Sequence, residues 1–312
     1  MLDLSLLRGI YPPVLTPLTP DERVDVASLR TLVGWLIDEG VHGIWALGTT
    51  AEFPCLDAGE RQAALEATVE AANGRVPVVA NVSDAGTRLA IRHARVAKRA
   101  EVDAIAVTPP YYYPHTMDEM LAHYRAVRDG VDLPLLIYSI PQTVKVRMEV
   151  GTTLKLAEEG TVVGIKDSQN DLQWFRDVCL GARERGLSFR AFLGTRTLID
   201  AAVQIGGVGS IPSIANVAPR ECAECHEAAE RGDFAAAARA QERVIAYEQI
   251  TTIARGGSAN AATLAGMKSY LRQRGIIAHS TVAAPLRPLT ADEEAQVGAL
   301  AGSLPQAVAV GT

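Results

Sequence analysis

Short β-branched runs alternate with segments whose apolar residues recur at helical spacing, from the N-terminus to Gly232. Residues 10–16 form the first run, and Leu29, Leu32, Val33, Leu36 and Ile37 then mark one face of a helix that Gly40 ends. Further runs lie at 43–47, 76–82, 104–108, 135–138, 162–168, 189–193 and 208–211, each bounded by turn-forming residues. A helix is predicted over 87–99, and Leu172, Phe175, Val178 and Cys179 give the apolar face of the one after the sixth run. Two helix starts carry capping-box pairs, Asp57 with Glu60 and Thr116 with Glu119.

Strands that alternate with helices pair in parallel through right-handed crossovers. About eight such units in about 230 residues predict an α/β fold, a closed (β/α)8 TIM barrel. An open doubly wound sheet is the alternative, but no glycine-rich GxGxxG follows the first strand. After Gly232 only helical patterns remain, at 234–253, 259–274 and 290–301, the last opening with Thr290 and Glu293. The chain is thus expected to divide into a catalytic barrel, 1–232, and a C-terminal helical extension, 233–312, whose last residues, 305–312, fray.

Composition narrows the partners. A hydrophobic content of 48% with 21% charged residues is that of a soluble globular protein. A net charge of −6 disfavours nucleic acid and anionic membrane, both of which select clustered Lys and Arg. Residues 1–10 include Asp3 and Arg8 and lack the apolar core of a signal peptide, and the uncharged stretch 201–219 is broken by Gln204, Pro212 and glycines. A cytoplasmic enzyme or binding protein acting on a small molecule is expected. The four cysteines are too scattered for a disulfide framework. Cys222, Cys225 and His226 fall within one helical segment with no second ligand pair, so they are read as packing residues and no metal is expected.

In a parallel barrel the chemistry gathers at the C-terminal ends of the strands. Those ends carry Thr16, Thr49, Thr50, Asn81, Tyr111, Tyr112, Tyr138, Lys166, Gly194, Ser210, Ile211 and Ser213, a set rich in hydroxyls around a single amine. Lys166 closes an apolar run, where its amine either snorkels to water or sits desolvated with a lowered pKa, ready to attack a ketone. Tyr138 ends the preceding strand and could move protons at a carbinolamine, with Thr50 and Tyr111 or Tyr112 as relays. Backbone amides of Gly48, Thr49 and Thr50 could bind a carboxylate. Each of these residues taken singly also fits a turn, a cap or loop packing.

Gly48-Thr49-Thr50-Ala51-Glu52, Tyr138-Ser139-Ile140-Pro141, Gly164-Ile165-Lys166-Asp167 and Gly206-Gly207-Val208-Gly209-Ser210 resemble, in order and spacing, the motifs of the dihydrodipicolinate synthase / N-acetylneuraminate lyase family, over about residues 6–274. The resemblance implies a homo-oligomeric barrel, usually a tetramer. It makes Lys166 the imine lysine, so that no separate cofactor is needed, and Tyr138 the catalytic phenol. Thr49 and Thr50 would meet the carboxylate of pyruvate or another 2-keto acid, and Tyr112, with Tyr111 beside it, matches the relay tyrosine.

Three departures from the family pattern bear on the substrate. Ala51 stands where the family has glycine, which would cost on the order of 1 kcal/mol if that backbone needs a positive φ. Thr143 occupies the position of the arginine that synthases of the family use to hold aspartate semialdehyde. Arg196 lies where lyases acting on neutral sugar-acid tails place acidic residues, and it suggests an anionic distal group. Tyr138-Ser139-Ile140-Pro141 together with Glu52-Phe53-Pro54 is also similar to the 4-hydroxy-2-oxoglutarate aldolase branch, whose second carboxylate Arg196 or Lys145 could meet. The expected function is therefore a Schiff-base-forming lyase that releases pyruvate from 4-hydroxy-2-oxoglutarate or a 2-keto-3-deoxy acid. Condensation of pyruvate with aspartate semialdehyde, dehydration of a keto-deoxy sugar acid, and 2-keto acid binding without turnover are the alternatives.

Overall fold

The computed structural model describes residues 3–304. In chain order the regular elements are β1 (Gly9–Ile10), α1 (Val26–Asp38), β2 (Ile44–Ala46), α2 (Ala58–Ala72), β3 (Val78–Asn81), α3 (Thr87–Arg99), β4 (Ala104–Val107), α4 (Met117–Gly130), β5 (Leu135–Ser139), α5 (Pro141–Val144), α6 (Val150–Glu158), β6 (Gly164–Asp167), α7 (Leu172–Glu184), β7 (Arg190–Leu193), α8 (Ile199–Gln204), β8 (Gly209–Ser210), α9 (Pro219–Glu230), α10 (Phe234–Ala246), α11 (Ala259–Gln273) and α12 (Ala291–Ser303). The strands are parallel, in the order β1-β8-β7-β6-β5-β4-β3-β2. Backbone bonds from His42 N to the Ile10 carbonyl (2.9 Å), Trp45 N to Pro12 (3.0 Å) and Val14 N to Trp45 (3.0 Å) join β2 to the chain after β1, so the sheet curls into the expected (β/α)8 barrel. Here β1 is shorter than the predicted run because Pro12 and Pro13 have no N–H to give a ladder, and only a bridge from Pro13 to Trp45 continues it.

Strand alternation sorts the side chains into two cores. Trp45, Val79, Ala104, Ala106, Leu136, Tyr138, Phe192 and Ile211 point inward and pack on one another. Ile44, Val78, Ile105, Ile137, Ile165 and Leu193 point outward beneath the helices. Gly164, on the inward row of β6, lets β7 approach closely, since a Cβ there would lie 2.3 Å from the Arg190 carbonyl oxygen. Two residues further along the same row stands Lys166.

The capping boxes at α2, α4 and α12 are all formed. The crossover from β5 to β6 contains α5 and α6, which the apolar pattern did not reveal. One is a single turn, and the other buries Thr152 and Thr153 beside Leu154 and Leu156, which blurs the hydrophobic stripe. The helix predicted over 234–253 ends at Ala246 and continues as a 3-10 turn over Tyr247–Thr251, and Ile250 and Thr251 at its end and Thr252 and Ile253 just past it are all β-branched. In α9, Cys222 and Cys225 are buried, with the Cys225 thiol donating to the Ala237 carbonyl at 3.4 Å, and His226 meets His42 edge-on. Val244, Leu264, Met267 and Leu271 of the extension belong to the same apolar cluster as Ile214 and Cys222 of the barrel. Among the described residues no helix is long and apolar enough to cross a membrane. The frayed end expected over 305–312 lies outside the described residues.

Candidate active site

Lys166 faces the barrel interior, in register with Tyr138 on β5 and Phe192 on β7. It is only 3% exposed, and its Nζ lies 4.3 Å from the centroid of the Tyr138 ring and 5.1 Å from that of Trp45. The faces of both rings attract a cation, but removal from water costs the ammonium more. Burial lowers the amine's pKa to about 7, so the neutral nucleophile is well populated near neutral pH.

Tyr138 is equally enclosed, and its Oη is 3.0 Å from Thr49 Oγ1. Trp45 meets the ring edge-on with centroids 5.6 Å apart, which fixes its orientation. Burial pushes the phenol's pKa up to about 12, so it carries its proton at neutral pH. The hydroxyl that reaches Tyr138 is therefore that of Thr49, whereas the sequence had pointed to Thr50 as the relay. Thr50 is also buried and lines the same cavity.

The turn that presents both threonines follows from backbone geometry. After β2, Leu47 takes φ 56°, Asn81 Nδ2 donates to its carbonyl at 2.7 Å, and Thr49–Ala51 form one 3-10 turn. The N–H groups of Thr49 and Thr50 open that turn and so have no acceptor within it. Left-handed backbone falls on Glu52, with φ 57°, and not on Ala51. Alanine at position 51 thus carries no strain.

Glu52 anchors this turn from below. Its Oε1 accepts from Lys268 Nζ at 2.5 Å and its Oε2 from Ala283 N at 2.7 Å, while Lys268 also donates to the Thr281 carbonyl at 2.7 Å. Both charged side chains are essentially inaccessible. Burial lowers the pKa of Lys268, and Glu52 works against that by favouring the ammonium. A lysine within the stripe Leu264, Met267, Lys268 and Leu271 was the available sequence signal for a buried cation.

A cavity of about 470 Å³ opens over Lys166 and Tyr138, a volume suited to a small substrate. Thr49, Thr50, Thr143, Ser168, Arg196, Ile211 and Ser213 line it from the barrel. The extension supplies Asn260, Thr263, Leu264 and Leu286, none of which the strand-end rule could indicate. Arg196 is not free, since its Nε lies 2.8 Å from Glu248 Oε2.

Four expected site residues fall elsewhere. Ser210 is in register with Ile10 and Leu193, both outward-facing, so its side chain points away from the cavity; the strand period puts its neighbour Ile211 inside instead. Tyr112 is 73% exposed, with φ 92°, and lies off the cavity of its own chain. Tyr111 packs on Phe53, beside Arg61 and Asp84. Lys145, at the left-handed cap of α5, is exposed and also lies off the cavity. Among the described residues no cluster of three or more His, Cys, Asp or Glu side chains could hold a metal ion.

Known proteins are similar to this chain over most of its length. A 4-hydroxy-tetrahydrodipicolinate synthase of Roseobacter denitrificans is 35% identical over 294 residues, which cover 94% of this chain and 97% of that one. An uncharacterized DapA-like lyase of Halobacterium salinarum is 34% identical over 293 residues, covering 94% and 92%. Among solved structures, dihydrodipicolinate synthase from Bacteroides thetaiotaomicron superposes with a TM-score of 0.89 at 30% identity, over 96% of this chain and 99% of that one. YagE of E. coli K12, in complex with pyruvate, gives 0.88 at 26% identity, over 95% and 98%. The model of the dihydrodipicolinate synthetase family matches residues 6–303, and with barrel and relatives in agreement the chain belongs to that family of lyases and synthases.

Proposed function

We propose that this protein is a Schiff-base-forming lyase that cleaves a 2-keto acid and releases pyruvate. The observation that carries the proposal is the enclosed amine of Lys166 against the ring of Tyr138, whose phenol is held by Thr49. The neutral amine attacks the C2 carbonyl carbon, and Tyr138 supplies the proton with which the carbinolamine oxygen leaves as water. The resulting iminium withdraws electrons from C3. The phenolate left on Tyr138 by that proton transfer takes the C4 hydroxyl proton as the C3–C4 bond breaks, giving an aldehyde and an enamine. Protonation of the enamine at C3, followed by hydrolysis, returns pyruvate and free Lys166.

The substrate carboxylate is assigned to Thr49 and Thr50, whose amides open the 3-10 turn and whose side chains line the cavity. We assign the relay role of Tyr112 to the site of a second copy, because the exposed tyrosine does not reach its own chain's cavity. The protein is accordingly taken as a homo-oligomer. Relatives that are 4-hydroxy-tetrahydrodipicolinate synthases support condensation as the second reading, whereas Thr143 on the cavity, in place of an arginine, counts against it. A panel of 2-keto-3-deoxy acids tests the cleavage. Pyruvate should accumulate from at least one member, and none from any of them would turn the assignment to condensation, dehydration or binding.

A further inference from the structure

Three charged residues line the cavity, Glu52, Lys166 and Arg196. On the proposed reading Lys166 is committed to the C2 carbonyl. The charge of Glu52 is balanced by Lys268, at 2.5 Å, and that of Arg196 by Glu248, at 2.8 Å. The groups left to meet the far end of a substrate are neutral: Thr143, Ser168, Asn260 and Thr263.

Glu248 holds Arg196 from outside the cavity. It stands in the 3-10 turn Tyr247–Thr251 that follows α10, and its side chain is 20% exposed beside an arginine that is 29% exposed. The same part of the extension fixes the backbone of the loop after β7. Gln241 Oε1 accepts from Ile199 N at 2.7 Å and its Nε2 donates to the Arg196 carbonyl at 3.1 Å. Arg196 is therefore held at both backbone and side chain, and an incoming carboxylate would have to share a guanidinium that already has a carboxylate partner. The strand-end position alone had suggested an anionic tail. With its partner in view the same arginine favours the opposite.

We propose that Glu248 is a positioning residue for specificity: by pairing with Arg196 it sets the cavity to accept 2-keto acids with neutral, hydroxyl-bearing tails and to discriminate against a second carboxylate. Asn260 and Thr263, in the first turns of α11, are the side chains that would hydrogen-bond such a tail. This rests on the assignment of Lys166 and Tyr138 to the keto-acid head, and it concerns only the opposite end of the cavity.

Calorimetric affinities for 2-keto-3-deoxygluconate and 4-hydroxy-2-oxoglutarate, measured on the full chain and on Glu248→Gln, test it. The unsubstituted protein should bind the neutral-tailed acid more tightly by about tenfold. Glu248→Gln should raise affinity for the dicarboxylate by about tenfold and leave the other within about threefold, and Glu248→Gln/Arg196→Gln should remove that gain. A purely structural role would move both ligands together. Tighter binding of the dicarboxylate by the unsubstituted protein overturns the proposal whether or not the variants fold, as does an unchanged ratio in Glu248→Gln. Borohydride trapping of pyruvate on the same samples reports the imine separately, so a failed trap with the predicted affinity order would remove the lyase mechanism and leave the selectivity standing.

Discussion

Thr49 Oγ1 and Tyr138 Oη lie 3.0 Å apart, although 89 residues separate them in the chain. The contact exists because β2 and β5 bring their C-terminal ends to one rim, and because Trp45, within β2, braces the Tyr138 ring. It gives the two adjacent threonines different work. Thr49→Val should lower kcat by about tenfold or more with a small change in KM, since it frees the phenol proposed to move protons. Thr50→Val should act chiefly on KM. Steady-state kinetics on the best keto acid checks both, and the reverse pattern would exchange the roles.

On the proposed mechanism the amine of Lys166 sets the pH dependence. With its pKa lowered to about 7, the fraction able to attack falls tenfold per pH unit below that value and levels off above it. The rate of imine formation should therefore rise up to about pH 7 and then plateau, with no alkaline fall from Tyr138, whose pKa is about 12. Stopped-flow measurement with pyruvate checks this, and a rate still climbing at pH 9 would return Lys166 to ordinary basicity. Because the folded pKa lies below the ordinary 10.5, the native state binds fewer protons than the unfolded chain between the two values. Stability contributed by this group should accordingly increase with pH across that window.

Among the described residues, Lys268→Met would leave the buried Glu52 carboxylate with the Ala283 amide as its remaining donor. A loss of about 3–5 kcal/mol is expected, the range for breaking a buried pair. Glu52→Gln/Lys268→Met should recover much of it, because no charge is then stranded. Urea denaturation of the two variants decides, and equal losses would show that the pair's burial and not its charge balance is what matters.

If Tyr112 serves the site of a second copy, two defective chains should repair each other. Lys166→Met and Tyr112→Phe are each expected to be poorly active, while a mixture unfolded and refolded together should regain activity, because some sites then combine an intact lysine with an intact tyrosine. Activity of the mixture equal to the average of the two would contradict a role for Tyr112 in the site of a second copy.

Much of the barrel was legible because its signals are local. Strand periodicity, three capping boxes and the glycine-bounded lysine run all lie within a few residues of the features they specify. What escaped depends on partners distant in sequence. Arg196 looked like a free cation until Glu248 appeared beside it, 52 positions on, and nothing near Lys268 in the sequence points to Glu52, its partner across 216 positions. Ser210 failed for a different reason. A strand-end rule does not say which face a residue takes, and the register with Leu193 turned that hydroxyl outward. Ala51 would be strained only with a positive φ, and which residue of the turn takes that angle shows only in the fold, where it is Glu52, one position later.

The central claim is that Lys166 forms an imine with a 2-keto acid. Incubation with pyruvate and sodium borohydride, followed by peptide mass mapping, tests it most directly. One reduced pyruvyl group on Lys166, absent without pyruvate and lost in Lys166→Met, is the predicted result; an unmodified Lys166, or a label on another lysine, would contradict it.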